Sequence, residues 1–266
     1  NHAYLKTQAE LATTNDPVVG QSTAAMPISR EGDYRRCYAG ECELGNLWTD
    51  AMLWKETDAD IAFEASGGIR GPGWPAGEVK ISDLWAALPF ANTLCTGKFL
   101  GVTLFEMMNF STSVATFTSH RTSTGDDLLQ IAGMRMTYNT ELEGSRLVSI
   151  DVWDKATSAF KPLDRLKVYS WVTNSYLCRS QPFATFCGAA RYTGEESAAV
   201  DDRLVQNVVA EFLTANSPYT PTATGRMTND TTATVALNLV QTQAMCEGNT
   251  SWTDAIGTCE ACADGT

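Results

Sequence analysis

The chain has 266 residues and a mass of 28.8 kDa, enough to bury a core in one large domain or two modest ones. At 44% hydrophobic and 19% charged it is neither disordered nor collagen-like, and no stretch nears the ~18 uninterrupted apolar residues of a membrane span. Its net charge of −12 repels phosphate backbones and excludes a broad nucleic-acid surface, while leaving room for a small anion where a few arginines converge.

Residues 1–34 mix breakers (Asn15-Asp16-Pro17, Gly32) with short apolar runs and read as a lead-in or linker. From Glu43 the spacing of Leu44, Leu47, Ala51, Met52 and Trp54 predicts a helix with one apolar face. A short strand over 60–64 is followed by a glycine-rich loop over 66–77. Ser82 is the expected N-cap of a short helix over 83–87 that Pro89 stops. Residues 101–108 read as a helix, and 128–132 and 134–138 as strands joined at Gly133.

Further strands are expected over 146–154, where apolar and polar residues alternate, and over 166–173. Val200, Leu204, Val205, Val208, Val209, Phe212 and Leu213 repeat at helical spacing up to Asn216-Ser-Pro218. Helices and strands interleave without strict βαβ alternation, which predicts an α+β fold with a mixed sheet. The expected organisation is a lead-in over 1–34, a domain over 35–227, and a Thr-rich linker with a partial Cys-rich module over 228–266.

Two histidines, His2 and His120, are too few for a di-metal hydrolytic centre, a zinc protease or a Ser/His/Asp triad, and both read as surface residues. No metal ligand set and no cofactor are expected, and carboxylates such as Asp126 and Asp127 read as a solvated loop. The eight cysteines form no zinc-finger spacing and read as disulfides of an oxidising compartment. Cys37 with Cys42, and Cys178 with Cys187, are the expected local pairs. Cys259-Glu-Ala-Cys262 has redox or zinc spacing, but without a following helix it reads as half of a disulfide-stapled module. Three Asn-x-Ser/Thr sequons start at Asn109, Asn229 and Asn249; the last two lie in loop-like sequence, whereas Asn109 sits in an apolar stretch.

The stretch Cys37-Tyr-Ala-Gly-Glu-Cys-Glu-Leu-Gly-Asn-Leu-Trp-Thr-Asp-Ala-Met52 resembles the C-terminal, substrate-binding domain of the 5′-nucleotidase family. So do, in order, Asp60-Ile-Ala-Phe-Glu-Ala-Ser-Gly-Gly-Ile-Arg70, Asp83-Leu-Trp-Ala-Ala-Leu-Pro-Phe90, Leu129-Gln-Ile-Ala-Gly133 with Tyr138-Asn139, Thr173-Asn-Ser-Tyr-Leu177 and Gly225-Arg-Met227. The resemblance covers about residues 20–227. It implies a domain that presents nucleotide to metals held by a separate N-terminal phosphoesterase domain, whose Asp-x-His and Gly-Asn-His-Glu motifs are absent from this sequence.

Carried over residue by residue, the resemblance implies that Phe90 and Tyr176 stack on an adenine ring, that Arg70 reaches the phosphate region, and that Ser66 stands in the glycine loop. Three positions depart from the family pattern. Tyr38 replaces an arginine, Ser66 opens the loop, and the acidic ribose anchor is replaced around Ser180-Gln-Pro182. Arg35 or Arg36 is a candidate substitute for the missing phosphate contact. Two functions emerge as expectations. One is an extracellular, non-catalytic domain with a partly degenerate pocket for an adenine nucleoside or nucleotide. The other is an assembly module of an extracellular filament or surface layer, its partners being further copies or other extracellular modules.

Overall fold

The computed structural model describes residues 16–30, 34–71, 73–114, 128–188, 199–223 and 225–234, with two short stretches at 253–254 and 257–258. His2, His120, Asp126, Asp127, Asn249, Cys246, Cys259 and Cys262 lie outside the described residues. The chain divides into two compact units, Asn1–Ala233 and Thr234–Thr266. Besides Thr234, the described part of the second is a ladder of two residue pairs, Thr253–Asp254 with Gly257–Thr258. The first unit carries the candidate site.

In chain order its elements are β1 (Val18–Ser22), β2 (Met26–Pro27), β3 (Ser29–Arg30), β4 (Tyr34–Arg35), α1 (Glu43–Lys55), β5 (Ile61–Ala65), β6 (Gly73–Trp74), β7 (Gly77–Lys80), α2 (Ile81–Ala87), β8 (Thr93–Leu100), α3 (Gly101–Val114) and β9 (Leu129–Ala132). They continue with β10 (Met134–Tyr138), β11 (Leu147–Asp154), β12 (Ala159–Pro162), β13 (Val168–Asn174), α4 (Ser175–Arg179), α5 (Phe183–Cys187), β14 (Ala199–Leu204), α6 (Val205–Ala215) and β15 (Met227–Asn229).

Two sheets dominate. A five-stranded sheet runs β14-β8-β13-β5-β9, with β13 and β5 parallel and the other neighbours antiparallel. A four-stranded sheet runs β12-β11-β10-β15, with only β10 and β15 parallel. This is the mixed α+β architecture that the sequence predicts.

All five residues of β5 are buried, because both faces of the larger sheet are covered. Ala62 faces a core built with Leu44, Leu47, Trp48 and Met52 of α1 and Val208, Val209 and Leu213 of α6. Ile61, Phe63 and Ala65 face the other core, with Phe99, Leu104, Met107 and Trp171. Trp171 lies at 5.7 Å, centroid to centroid, from both Phe63 and Phe99. Truncation of so large a buried ring typically costs ~3–5 kcal/mol. The reversal from β9 to β10 needs a glycine: Gly133 has φ +75°, and a Cβ there would lie 2.1 Å from the Asp60 carbonyl oxygen.

Local chemistry sets the helix ends, not always as the sequence suggests. α2 begins at Ile81 with Lys80 as its N-cap, where the Asp83 carboxylate accepts the Lys80 N–H at 2.8 Å. Ser82, the expected cap, is inside the helix and donates both its N–H and its hydroxyl to Asp16. α3 runs to Val114, beyond the expected end. The helical period read from Val200 starts only at Val205. Val200 and Leu204 are instead in β14, opposite Cys95 and Thr93, because β8 offers an edge for them to pair with.

Among the described residues two disulfides are formed, Cys37–Cys42 and Cys95–Cys178. The expected Cys178–Cys187 pair is corrected: Cys187 is a buried free thiol, and burial pushes its pKa up to about 12. The register explains the partner. Cys95 sits opposite Thr173, and α4 starts directly after β13, turning Cys178 back over β8.

Candidate functional site

The candidate site residues stand at one end of the five-stranded sheet. The parallel pair β5 and β13 ends there, and β8 begins there. Loops at the carboxyl ends of parallel strands commonly form ligand crevices. After β5 the chain makes a short 3-10 turn, Ser66–Gly68, and then presents Arg70. The Arg70 N–H donates to the Ala87 carbonyl at 2.7 Å, fixing the loop against the end of α2. Its guanidinium carbon lies 5.8 Å from the centre of the Phe90 ring, within cation–π range, and its Nε is buried without a partner.

Phe90 is 41% exposed, on a segment held from below. Gln206, fully buried at the start of α6, donates its amide to the carbonyls of Leu88 (2.5 Å) and Phe90 (2.7 Å). Tyr176, the second residue of α4, is 58% exposed. Asn174 caps this helix by accepting the Leu177 N–H at 3.0 Å, and the Ser175 hydroxyl accepts the N–H of Thr93, three residues after Phe90. The disulfide from Cys178 to Cys95 adds a covalent tie between α4 and β8. Arg70 and Phe90 are thus neighbours. Tyr176 stands on the adjoining strand end, and its ring makes no aromatic contact with Phe90.

Ser66 requires a correction. It is fully buried, its hydroxyl donates to the Cys37 carbonyl at 2.6 Å and accepts from the Gln130 amide at 3.0 Å, so it offers nothing to a ligand. Arg36 likewise is committed to Glu43 at 2.5 Å; the side chain of Arg35 lies outside the described residues. Asn109 is also corrected as a glycan acceptor. It lies half-buried on α3, with its Oδ1 accepting from Ser145 and the Leu147 N–H, while Ser111 of the same sequon is fully buried. Asn229 is exposed at the end of β15, with its amide donating to Thr140.

Beneath the site lies a row of polar side chains that the sequence reading did not single out. Gln130, Glu64 and Asn174 come from the adjacent strands β9, β5 and β13, and all are buried. Gln130 accepts the Cys42 N–H and donates to the carbonyls of Cys37 and Gly40 and to Ser66. It packs so closely on α1 that a Cβ at Gly45 would fall 2.4 Å from its Cγ. Glu64 accepts from Asn174 at 2.6 Å and from the Ala65 N–H at 3.0 Å, while its other oxygen has no partner. Burial pushes its carboxyl pKa up to about 7, against the lowering effect of those two hydrogen bonds.

Other motif residues serve the scaffold. Glu41 accepts from Asn46 and from the Arg226 N–H, and the Arg226 guanidinium pairs with Asp50 at 2.8 Å and donates to the Ile131 carbonyl. Among the described residues, no three His, Cys, Asp or Glu side chains are grouped to hold a metal ion, so these residues do not fit a metal centre. Among them, too, no helix is long and apolar enough to cross a membrane.

Fold and site together define a mixed α+β architecture with two exposed rings and a guanidinium where parallel strands end. The chain belongs to the 5′-nucleotidase C-terminal domain family, whose profile matches residues 18–185. It is 31% identical over 186 residues to a 5′-nucleotidase of Diplobatis ommata, covering 65% of this chain and 30% of that one. It is 25% identical over 212 residues to a snake venom 5′-nucleotidase of Crotalus adamanteus, covering 74% and 34%. Its fold resembles that of a 5′-nucleotidase precursor from Thermus thermophilus, with a TM-score of 0.68 and 22% identity over 84% of this chain and 41% of the other. The chain therefore spans less than half the length of each of these relatives.

Proposed function

We propose that this chain is the substrate-holding portion of a secreted 5′-nucleotidase-like protein, gripping an adenine nucleoside or nucleotide between Phe90 and Tyr176 with Arg70 near the phosphate. The carrying observation is the exposure of Phe90, with the Arg70 guanidinium 5.8 Å from its ring centre, and of Tyr176 on the neighbouring strand end, at the carboxyl end of the parallel pair. The names of the relatives support the nucleotide, and the two disulfides together with the venom relative support an extracellular setting. The chain performs no hydrolysis by itself. Chemistry at the phosphate belongs to a metal-bearing domain elsewhere in the parent protein.

The pocket is partly dismantled. Ser66 is turned inward, and the segment after Tyr176 runs through Ser180 and Pro182, the latter without a side-chain acceptor for a ribose hydroxyl. Two base stacks contribute ~1–3 kcal/mol each, which brackets the ~4 kcal/mol of a millimolar complex. The test is titration of adenosine and AMP followed by tryptophan fluorescence and melting temperature. Saturation at 100 times Kd raises stability by ~2.7 kcal/mol. Tyr176→Ala and Phe90→Ala should each weaken binding about 5- to 150-fold. No response to 10 or more millimolar ligand (on the order of ten times the expected Kd) removes the reading, as does AMP hydrolysis by this chain that is lost on Arg70→Ala.

A second reading, assembly through the outer face of the four-stranded sheet, draws on Trp153 and Phe160. These are exposed cross-strand neighbours with ring centroids 5.1 Å apart. Sedimentation velocity distinguishes it: concentration-dependent association that Phe160→Ala abolishes supports assembly, and a monomer at all concentrations eliminates it.

A further inference from the structure

Tyr176 and Arg70 reach the site from different strands, and one buried side chain touches the supports of both. Glu64 is the last-but-one residue of β5, directly before the turn that leads to Arg70. Its side chain points to the same face as Ala62, opposite Phe63. There its Oε1 accepts from the Asn174 amide across the parallel pair and from the Ala65 N–H at the mouth of the turn. The same oxygen lies 3.1 Å from where a Cβ on Gly68 would stand, so the turn is laid directly on the carboxyl group. Asn174 uses its other atom, Oδ1, to cap α4 and so sets the start of the helix that carries Tyr176.

A fully buried glutamate in an apolar strand is costly unless its acceptors are used, and here one oxygen makes both bonds while the other has none. Leucine at this position would fill similar volume but leave the buried Asn174 amide and the Ala65 N–H without the acceptor that Glu64 supplies. The polar group therefore contributes something that packing does not. We propose that Glu64 is a positioning residue for the nucleoside site: through Asn174 it fixes the cap of α4, and through Ala65 it fixes the glycine turn, so that Tyr176 and Arg70 keep one mutual spacing. This rests on the reading of Phe90, Tyr176 and Arg70 as a nucleoside grip. The Glu64–Asn174 bond itself does not.

The experiment uses the full chain with adenosine as probe and three variants. Glu64→Leu removes the acceptor, Glu64→Gln keeps the accepting oxygen, and Asn174→Ser keeps a capping oxygen while cutting the link to Glu64. Two quantities are read: adenosine Kd, and hydrogen exchange of the Leu177 and Ser180 amides without ligand, with the Val152 amide of the other sheet as reference. The expected result is tenfold or greater weakening of Kd in Glu64→Leu and in Asn174→Ser, with tenfold faster exchange in α4 and none at Val152. Glu64→Gln should restore both to within threefold of the parent, a rescue that loss of packing alone would not give.

Unchanged exchange in α4, unchanged Kd despite faster exchange, or failure of Glu64→Gln to rescue overturns the proposal. If Glu64→Leu does not fold, Asn174→Ser and Glu64→Gln decide it by the same criteria. If the parent chain binds no adenosine, the ligand reading fails, and exchange in α4 alone decides whether Glu64 positions that helix.

Discussion

Removing the Cys95–Cys178 disulfide tests the geometry around α4 most directly. The bond closes a loop with a sequence separation of 83 residues, whereas Cys37–Cys42 closes one of 5. On the chain-entropy relation, cross-links of these lengths stabilise by ~4.5 and ~2 kcal/mol respectively, by restricting the unfolded chain. The double variant Cys95→Ala/Cys178→Ala should lose most of the larger figure, and Cys37→Ala/Cys42→Ala less than half as much. Guanidinium unfolding followed by tryptophan fluorescence reads both, since Trp171 and Trp48 are buried in the two cores. The long-range bond also anchors the helix bearing Tyr176, so adenosine binding should weaken even where the variant remains fully folded. Peptide mapping provides the independent check. A Cys178–Cys187 linkage, or a loss below ~0.5 kcal/mol on removing the Cys95 bond, refutes the argument.

Glu64 makes stability depend on pH in a definite direction. Its folded pKa of about 7 lies above the ordinary 4.5, so the folded chain keeps a proton that the unfolded chain releases between those values, and stability falls as pH rises through that window. At ~1.4 kcal/mol per pH unit, the loss is about 3 kcal/mol by pH 8. Urea midpoints of the parent and Glu64→Gln should therefore diverge from pH 4.5 to pH 8, and parallel profiles would falsify the buried-carboxyl account. Gly45→Ala should cost ~1–3 kcal/mol by overpacking, since its Cβ would meet Gln130 at 2.4 Å; a thermal midpoint equal to the parent's would contradict this. Expressed through a secretory route, the chain should carry glycan at Asn229 and none at Asn109, and glycopeptide mapping that finds the reverse would overturn the burial of that sequon.

The readable parts of the sequence were those where neighbours along the chain decide the outcome. The periodic Leu44, Leu47, Ala51 and Met52 gave α1 its buried face, and alternation between Leu147 and Asp154 marked β11. Where a distant element decides, local pattern misled. Val200 and Leu204 continue the helical period of α6, yet the free edge of β8 draws them into a strand. Cys178 faces a nearer cysteine in sequence, but strand register brings Cys95 to it. The family motifs single out Arg70, Phe90, Tyr176 and Ser66 alike, because a motif does not distinguish presented from buried residues, and Ser66 is the one that the fold turns inward. The supporting row left a trace all the same. Glu64 in Ile61-Ala-Phe-Glu-Ala65 and Gln130 in Leu129-Gln-Ile-Ala132 are single polar residues in otherwise apolar strands, a pattern that demands buried partners.

Gln130 also bears on the order in which the molecule is made. Its amide bonds the Cys37–Cys42 segment at the Cys42 N–H and the Cys37 and Gly40 carbonyls, 88 to 93 residues back along the chain, while the nearer Ser66 hydroxyl shares the Cys37 carbonyl. During synthesis the small disulfide ring can close early, but it gains its Gln130 bonds only once β9 has emerged and docked beside β5. A nascent chain cut short before Leu128 should therefore carry an oxidised ring that lacks the three Gln130 bonds and is more open to proteases than in the finished chain, with that end of the sheet among the last regions to mature.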